Sequence, residues 1–222
     1  MAARCEPVGS HQSPLTDPDP DPRSAPDPRV PPDPRVPPAP RIPPLSTDEW
    51  NAAVAGRLAS VTGMMDADER PLNIFSTLAR HTNLFQAWID FGAMLLIGGE
   101  LPARERELAI LRVGWHCQAP YEWGQHAKIG LDIGLTQLEI DRIPLGPEAG
   151  GWTDTEKLVL RATDELHTVA KISDATWAEL CEHFDERQLI ELPVLVGQYF
   201  LVCFALNSLG VQPEPGLPGL PG

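Results

Sequence analysis

Cysteine is scarce in this chain and never clustered. Cys5, Cys117, Cys181 and Cys203 are the only four in 222 residues, with no CxxC pair and no metal-ligand spacing among them. That distribution supports neither a disulfide framework nor a zinc site, and it suits reduced thiols in a cytosol. Cys181 and Cys203 lie among Leu, Phe and Val and read as core packing. Long apolar runs are also missing: none reaches the roughly 18 uninterrupted residues of a membrane span, and the opening MAARCEPVGSHQ lacks the apolar stretch of a signal peptide. Positive charge is in deficit, with 17 Lys or Arg against 31 Asp or Glu. A surface this acidic repels nucleic acid and anionic membranes, so neither is expected as a partner. The expected location is cytoplasmic.

Strand signals are nearly absent, and helix signals fill the middle of the chain. Residues 1–44 are dominated by Pro, Asp and Arg, with the near-repeat DPRVPP-DPRVPP-APRIPP over Asp27–Pro44. This composition predicts an extended, disordered tether. The tail 212–222, with PEPGLPGLPG, has collagen-like spacing but too few triplets for a triple helix, and is expected to be disordered as well. Residues 45–211 then hold the fold, which is expected to be all-α.

Within it, Ser46 with Glu49 forms a capping box opening a helix to about Val61. Leu72–Ala79 and Leu84–Ile97 are apolar-periodic and end at Gly98 and Gly99. Pro102 opens a helix to about His116, and Pro120 another to near Gly134. Thr136 with Glu139, Thr153 with Glu156 and Asp185 with Gln188 repeat the cap-and-reply pattern, and Ser173 is a further N-cap. Residues 186–209 are apolar nearly all round, so they should be buried on most sides, with Pro193 breaking or kinking the helix. So greasy a helix needs more cover than one chain supplies, which points to a homo-oligomer.

Three ionisable residues stand on apolar helical stripes. Glu122 and His126 are four apart, and their stripe continues through Ile129 and Ile133. Glu107 shares a stripe with Ala103, Ile110, Leu111 and Gly114. Inward charge is costly unless paired, and carboxylates gathered with a histidine shift one another's pKa, which is how acid–base sites are built. Arg104, Arg106 and Arg112 form the dense positive cluster nearby and read as solvated helix-face charges. His116 reads as a cation capping a helix C-terminus, and Tyr121 and Trp123 as packing residues that would wall the pocket. No second histidine stands at a spacing that would complete a metal site with Glu107, Glu122 and His126.

The run RERELAILRVGW, followed by YEWGQHAKIG and GLTQLEI, resembles the carboxymuconolactone decarboxylase and alkylhydroperoxidase-D-like superfamily, with coverage from about Ile42 to Val211. The resemblance implies an all-helical fold assembled into trimers, hexamers or related rings. It also implies a site around the motif-bearing helix pair, with the glutamate at Glu107 and the proton-relaying histidine at His126. The peroxidase branch's two cysteines would fall seven and four residues before the histidine, where this chain has Ala119 and Glu122. Dithiol peroxide reduction needs a thiolate and a resolving thiol, and spacing offers Cys117 no partner. The decarboxylase branch likewise keeps the histidine without a cysteine pair.

The leading expectation is a cofactor-free and metal-free lyase or isomerase acting on a small carboxylated or lactone-type molecule. His126 would be the general acid, Glu122 its orienter or a base, and Glu107 the charge that keeps the histidine near a pKa of roughly 6 to 7. The alternatives are peroxidase-like activity through Cys117, and a non-catalytic oligomeric scaffold whose Pro-rich arm recruits partners.

Overall fold

Helix caps carry most of the local specification. In the computed structural model, which describes residues 39–46, 49 and 71–221, the Thr136, Thr153 and Asp185 capping boxes all form with Glu139, Glu156 and Gln188. Ser173 accepts from Thr176 N–H. Each such cap stabilises its helix by about 1 kcal/mol.

The elements run in order as α1 (Asn73–Leu78), a 3-10 turn (Ala79–His81), α2 (Thr82–Ile97), α3 (Ala103–His116) and α4 (Pro120–Asp132). They continue as α5 (Gln137–Arg142), a 3-10 turn (Ile143–Leu145), α6 (Asp154–Val169), α7 (Asp174–Leu180) and α8 (Glu186–Leu209). The fold is all-α. Ser46 N–H and Oγ donate to Glu49 at 2.7 and 2.8 Å, as the capping box requires. The rest of that expected helix, to Val61, and the arm 1–38 lie outside the described residues.

α3 is the axis of the domain, packed on α4, α6 and α8. Its Ile110 and Val113 meet Val159, Leu195 and Cys203 in one core, while Leu108 and Leu111 meet Trp123 and Ile140 in another. Polar ties then fix its register. Arg112 is not solvated: it is 7% exposed, grips Asp164 with Nε–Oδ1 at 2.6 Å and Nη2–Oδ2 at 3.0 Å, and donates to the carbonyls of Ile143 and Pro144. Arg104 reaches the replying glutamates of two capping boxes, Glu139 and Glu156, each at 2.6 Å. Burial tends to raise the Glu139 pKa, but Thr136 N–H and Arg104 outweigh it and bring it to about 2. His116 does not cap its own helix; Nε2 meets Asp164 Oδ1 at 2.6 Å and the ring stacks on His167.

α8 runs unbroken through Pro193. The proline removes one intrahelical bond at a cost of about 3 kcal/mol, which the buried Leu189, Leu192, Leu195 and Val196 around it offset. By length and composition α8 is apolar enough to cross a membrane, yet 56% of its most apolar window is buried inside the domain. One stripe of it stays bare. Ile190, Val194, Leu201 and Phe204 follow 4-7-3 spacing on one face, with Leu201 52% and Phe204 62% exposed. α2 bares Leu84, Phe91, Met94 and Ile97 in the same manner.

Three expectations need correction. Residues 39–44 are not all tether: Arg41 N–H donates to Leu209 O at 2.8 Å, and Arg80 Nε to Pro43 O at 2.7 Å. The C-terminal tail is not free either, because Glu214 finds three hydrogen-bond donors and Leu220 an apolar cluster. Composition foretold no internal structure there, and could not foretell an external dock. Cys181 is exposed rather than core, whereas Cys203 is fully buried.

Candidate acid–base site

α3 and α4 lie against each other with Gly114 at the closest approach, where an added Cβ would stand 3.5 Å from Trp123 N and 3.8 Å from Glu122 Cγ. That contact brings the two charged stripes together. Glu107, Glu122 and His126, the three residues expected on inward faces, are all buried, and His126 meets both glutamates. His126 Nδ1 donates to Glu107 Oε2 at 2.6 Å. On the other side of the ring, Glu122 Oε1 stands 3.1 Å from Nε2. It is close enough for an ion pair but off the N–H axis, and this buried oxygen lacks a hydrogen-bond partner among the described residues. Arg106 Nε donates to the other Glu107 oxygen at 3.3 Å.

Burial is the largest single influence on His126 and acts to lower its pKa. The charges of Glu107 and Glu122 and the short hydrogen bond to Glu107 together exceed it, raising the pKa to about 10. The expected working value of roughly 6 to 7 is therefore too low: both expected carboxylates face the ring, and together they outweigh its burial. Held as imidazolium, with both nitrogens turned to carboxylates, His126 has no lone pair to offer a cation.

Above the imidazole opens a cavity of about 140 Å³. Ile74, Phe75, Trp88, Ile89 and Val202 give it apolar walls. Its polar atoms come from Glu122, His126, Gln125, Gln198 and Tyr199, with the exposed Lys128 at the rim. No cysteine lines it. The volume resembles that of an engineered cavity of ~150 Å³ that admits benzene, so a single ring is the size it suits.

Sequence reasoning missed three contributors. Tyr199 sits edge-on to His126, with ring centroids 5.0 Å apart at 88°, and burial followed by the charges of Glu122 and Glu107 pushes its phenol well above the usual range. Gln198 is its neighbour; both are polar breaks in the α8 apolar run, which was the available signal. Arg106 was grouped with the solvated arginines. Tyr121 lines the cavity as expected of a pocket wall, and carries its hydroxyl between Ile74 N–H, 3.3 Å away, and Glu214.

Cys117 also has a partner that spacing hid. It packs on the core that contains Cys203, and the Cys203 thiol draws the Cys117 pKa down while that of Cys203 is pushed up.

The model of the carboxymuconolactone decarboxylase family matches residues 82–165, which carry α2 to α6 and all three charged residues. No curated protein matches the sequence. Among solved structures, an alkylhydroperoxidase AhpD core protein, peroxidase-related, from Ralstonia eutropha JMP134 is 20% identical, with a TM-score of 0.68 over 80% of this chain and 94% of its own. A putative antioxidant defence protein AhpD from Agrobacterium tumefaciens is 19% identical, with a TM-score of 0.57 over 61% and 94%. The debrominase Bmp8, seen in complex with 2,3,4-tribromopyrrole, is 14% identical, with a TM-score of 0.62 over 78% and 91%. The fold and the family match define an all-helical AhpD-like protein. Residues 82–165 match the carboxymuconolactone decarboxylase family, and the fold is the one shared with the AhpD-like structures.

The His126 shift makes stability pH-dependent. A histidine whose folded pKa lies above its unfolded value of about 6.5 stabilises fully below that pH and loses its contribution as pH rises through about 10. The unfolding free energy from urea titrations should fall between pH 7 and 9.5, by at most about 1.4 kcal/mol per pH unit, and Glu107→Gln should flatten the slope. A wild-type profile level across that window contradicts the coupling.

Proposed function

We propose that the chain is a cofactor-free lyase or isomerase that moves a proton on a small ring molecule bearing a carboxylate or lactone group. The observation that carries this reading is the imidazole of His126, bridged by two buried glutamates at the floor of a cavity sized for one ring. In a decarboxylation the carbon–carbon bond breaks, carbon dioxide leaves, and its electron pair remains as a dienolate. Nε2–H of His126 then gives its proton to carbon. A donor with a pKa of about 10 is fully charged at neutral pH, and an enolate carbon is a stronger base than that, so the transfer runs downhill. Glu107 keeps Nδ1 protonated and the ring aimed, while Glu122 returns a proton from solvent to Nε2. Lys128 at the rim gives an anionic substrate a counter-charge in an otherwise acidic protein. The setting is the cytosol.

His126→Asn should lower turnover by about 10²–10⁴-fold while the helical circular dichroism is kept. A screen of small unsaturated lactone carboxylates, read by deuterium uptake at carbon from D2O, supplies the assay. Turnover retained in that variant contradicts the proton-donor role.

A second reading is thiol-based peroxide reduction, favoured by the Cys117–Cys203 contact. The Cys117 thiolate would attack a hydroperoxide oxygen to form a sulfenic acid and an alcohol; the Cys203 thiol would then displace water and close a disulfide, which an external dithiol reopens. In a peroxide-consumption assay with a dithiol reductant, Cys117→Ser and Cys203→Ser should each abolish the rate. Equal rates in wild type and both variants would remove this reading.

The bare stripes of α2 and α8 support a homo-oligomer, in the trimers or hexamers the superfamily implies. Phe204→Glu should shift the light-scattering mass toward that of one chain; an unchanged mass places the contact elsewhere.

A further inference from the structure

Residues 212–221 lack helical and strand character, yet they are tied to the domain at one charged point. Glu214 Oε1 accepts from Asn73 N–H at 2.7 Å and from the Tyr121 hydroxyl at 3.1 Å, and Glu214 Oε2 accepts from Gln125 Nε2 at 2.5 Å. Asn73 Nδ2 adds a bond to Gln212 O at 3.0 Å. Among the described residues no Lys or Arg pairs with Glu214. A carboxylate in a chain of net charge −14 is thus held by neutral donors alone, from α1 and α4.

Two of those donors face both ways. Tyr121 and Gln125 line the cavity that His126 and Glu122 floor, and they also clasp Glu214. Burial, then the neighbouring Glu214 charge, keeps the Tyr121 phenol protonated and hence a donor.

α4 is shaped to receive the segment. Gly124 stands in the middle of a helix, where glycine costs about 1 kcal/mol relative to alanine. A Cβ there would come within 2.9 Å of Pro218 O and 3.0 Å of Leu217 Cβ, so the missing side chain is what lets the segment lie flat. Among the described residues the segment adds to these contacts one long backbone bond, Leu217 N–H to Glu214 O at 3.5 Å, a bond from Gln212 Nε2 to Gly210 O at 2.8 Å, and the Leu220 side chain on the α3–α4 cluster.

We propose that Asn73 N–H, the Tyr121 hydroxyl and the Gln125 amide form a carboxylate subsite at the cavity rim, and that Glu214 fills it as a tethered competitor which a carboxylate-bearing ligand displaces. A tethered group acts at an effective concentration in the millimolar range when its linker is short. A free carboxylate must outcompete that, and gains where the tether is weakened. The inference uses the cavity of the proposed reaction but none of its acid–base chemistry, so the two stand or fall separately.

Benzoate is the probe, with benzamide as its uncharged counterpart, titrated into the full chain and followed by calorimetry. Glu214→Ala empties the cradle directly. Gly124→Ala lifts the segment while leaving every donor and Glu214 in place. Both variants should bind benzoate about tenfold tighter than wild type, benzamide affinity should not change, and adding Tyr121→Phe to Glu214→Ala should erase the gain. Benzoate affinity equal to wild type in both variants overturns the proposal. An equal gain for benzamide also overturns it, since that would mean a wider opening and no carboxylate recognition.

Discussion

Glu107, His126 and Glu122 form a line of alternating charge through the interior, and the relation between α3 and α4 depends on it. Taking two carboxylates and an imidazole out of water costs several kcal/mol per ion, offset only when the partners stand in close register. Here Nδ1 is 2.6 Å from one carboxylate and Nε2 is 3.1 Å from the other. Moving either helix by one residue would strand a charge. Removing one member would cost more than the pair contributes, because the remainder would be buried unpaired. The arrangement is therefore a weak source of stability and a strong source of specificity of register.

The rest of the domain is built to hold that register. Arg104 joins the start of α3 to the caps of α5 and α6, Arg112 joins its centre to Asp164 on α6, and Glu191 of α8 accepts from Glu100 N–H at 2.6 Å and Leu101 N–H at 3.2 Å just before it. Gly99 makes room for that last contact, since a Cβ there would collide with the Glu191 carboxylate. These ties surround an apolar core, so α3 is fixed by packing along its length and by ions at its ends. The cavity follows from this: Tyr199 and Gln198 on α8 close one side of the imidazole, and α1 and α2 roof it. Among the described residues Glu122 Oε1 makes its ion pair with His126 but no hydrogen bond, which leaves it free to exchange a proton in the proposed reaction.

Period and capping made much of this readable from sequence. Helix boundaries followed from Thr136, Thr153, Ser173 and Asp185, because a cap is a local interaction spanning three residues. Glu107 and the Glu122–His126 couple were readable as inward charges because a helical stripe fixes direction without knowledge of the partner. What spacing could not give was anything that closes over long separations. Cys203 meets Cys117 across 86 positions, Tyr199 meets His126 across 73, and Glu214 meets Tyr121 across 93. The charge state of His126 was misjudged although both glutamates were expected at the ring, because how closely they stand and how far they outweigh burial depends on packed distances that spacing does not give. Arg112 and Arg106 were read as solvated because a helix rich in charge gives no local sign of which side chain turns inward.

The central claim is that His126 is a resting imidazolium clamped by two carboxylates, and the imidazole nitrogens report it directly. With His126 labelled with nitrogen-15, nuclear magnetic resonance across pH 6 to 11 should show both nitrogens protonated through neutral pH, with the change to a neutral ring centred near 10. A transition near 6.5, the value of an unperturbed histidine, would mean that the two glutamates do not hold the ring, and would contradict the account.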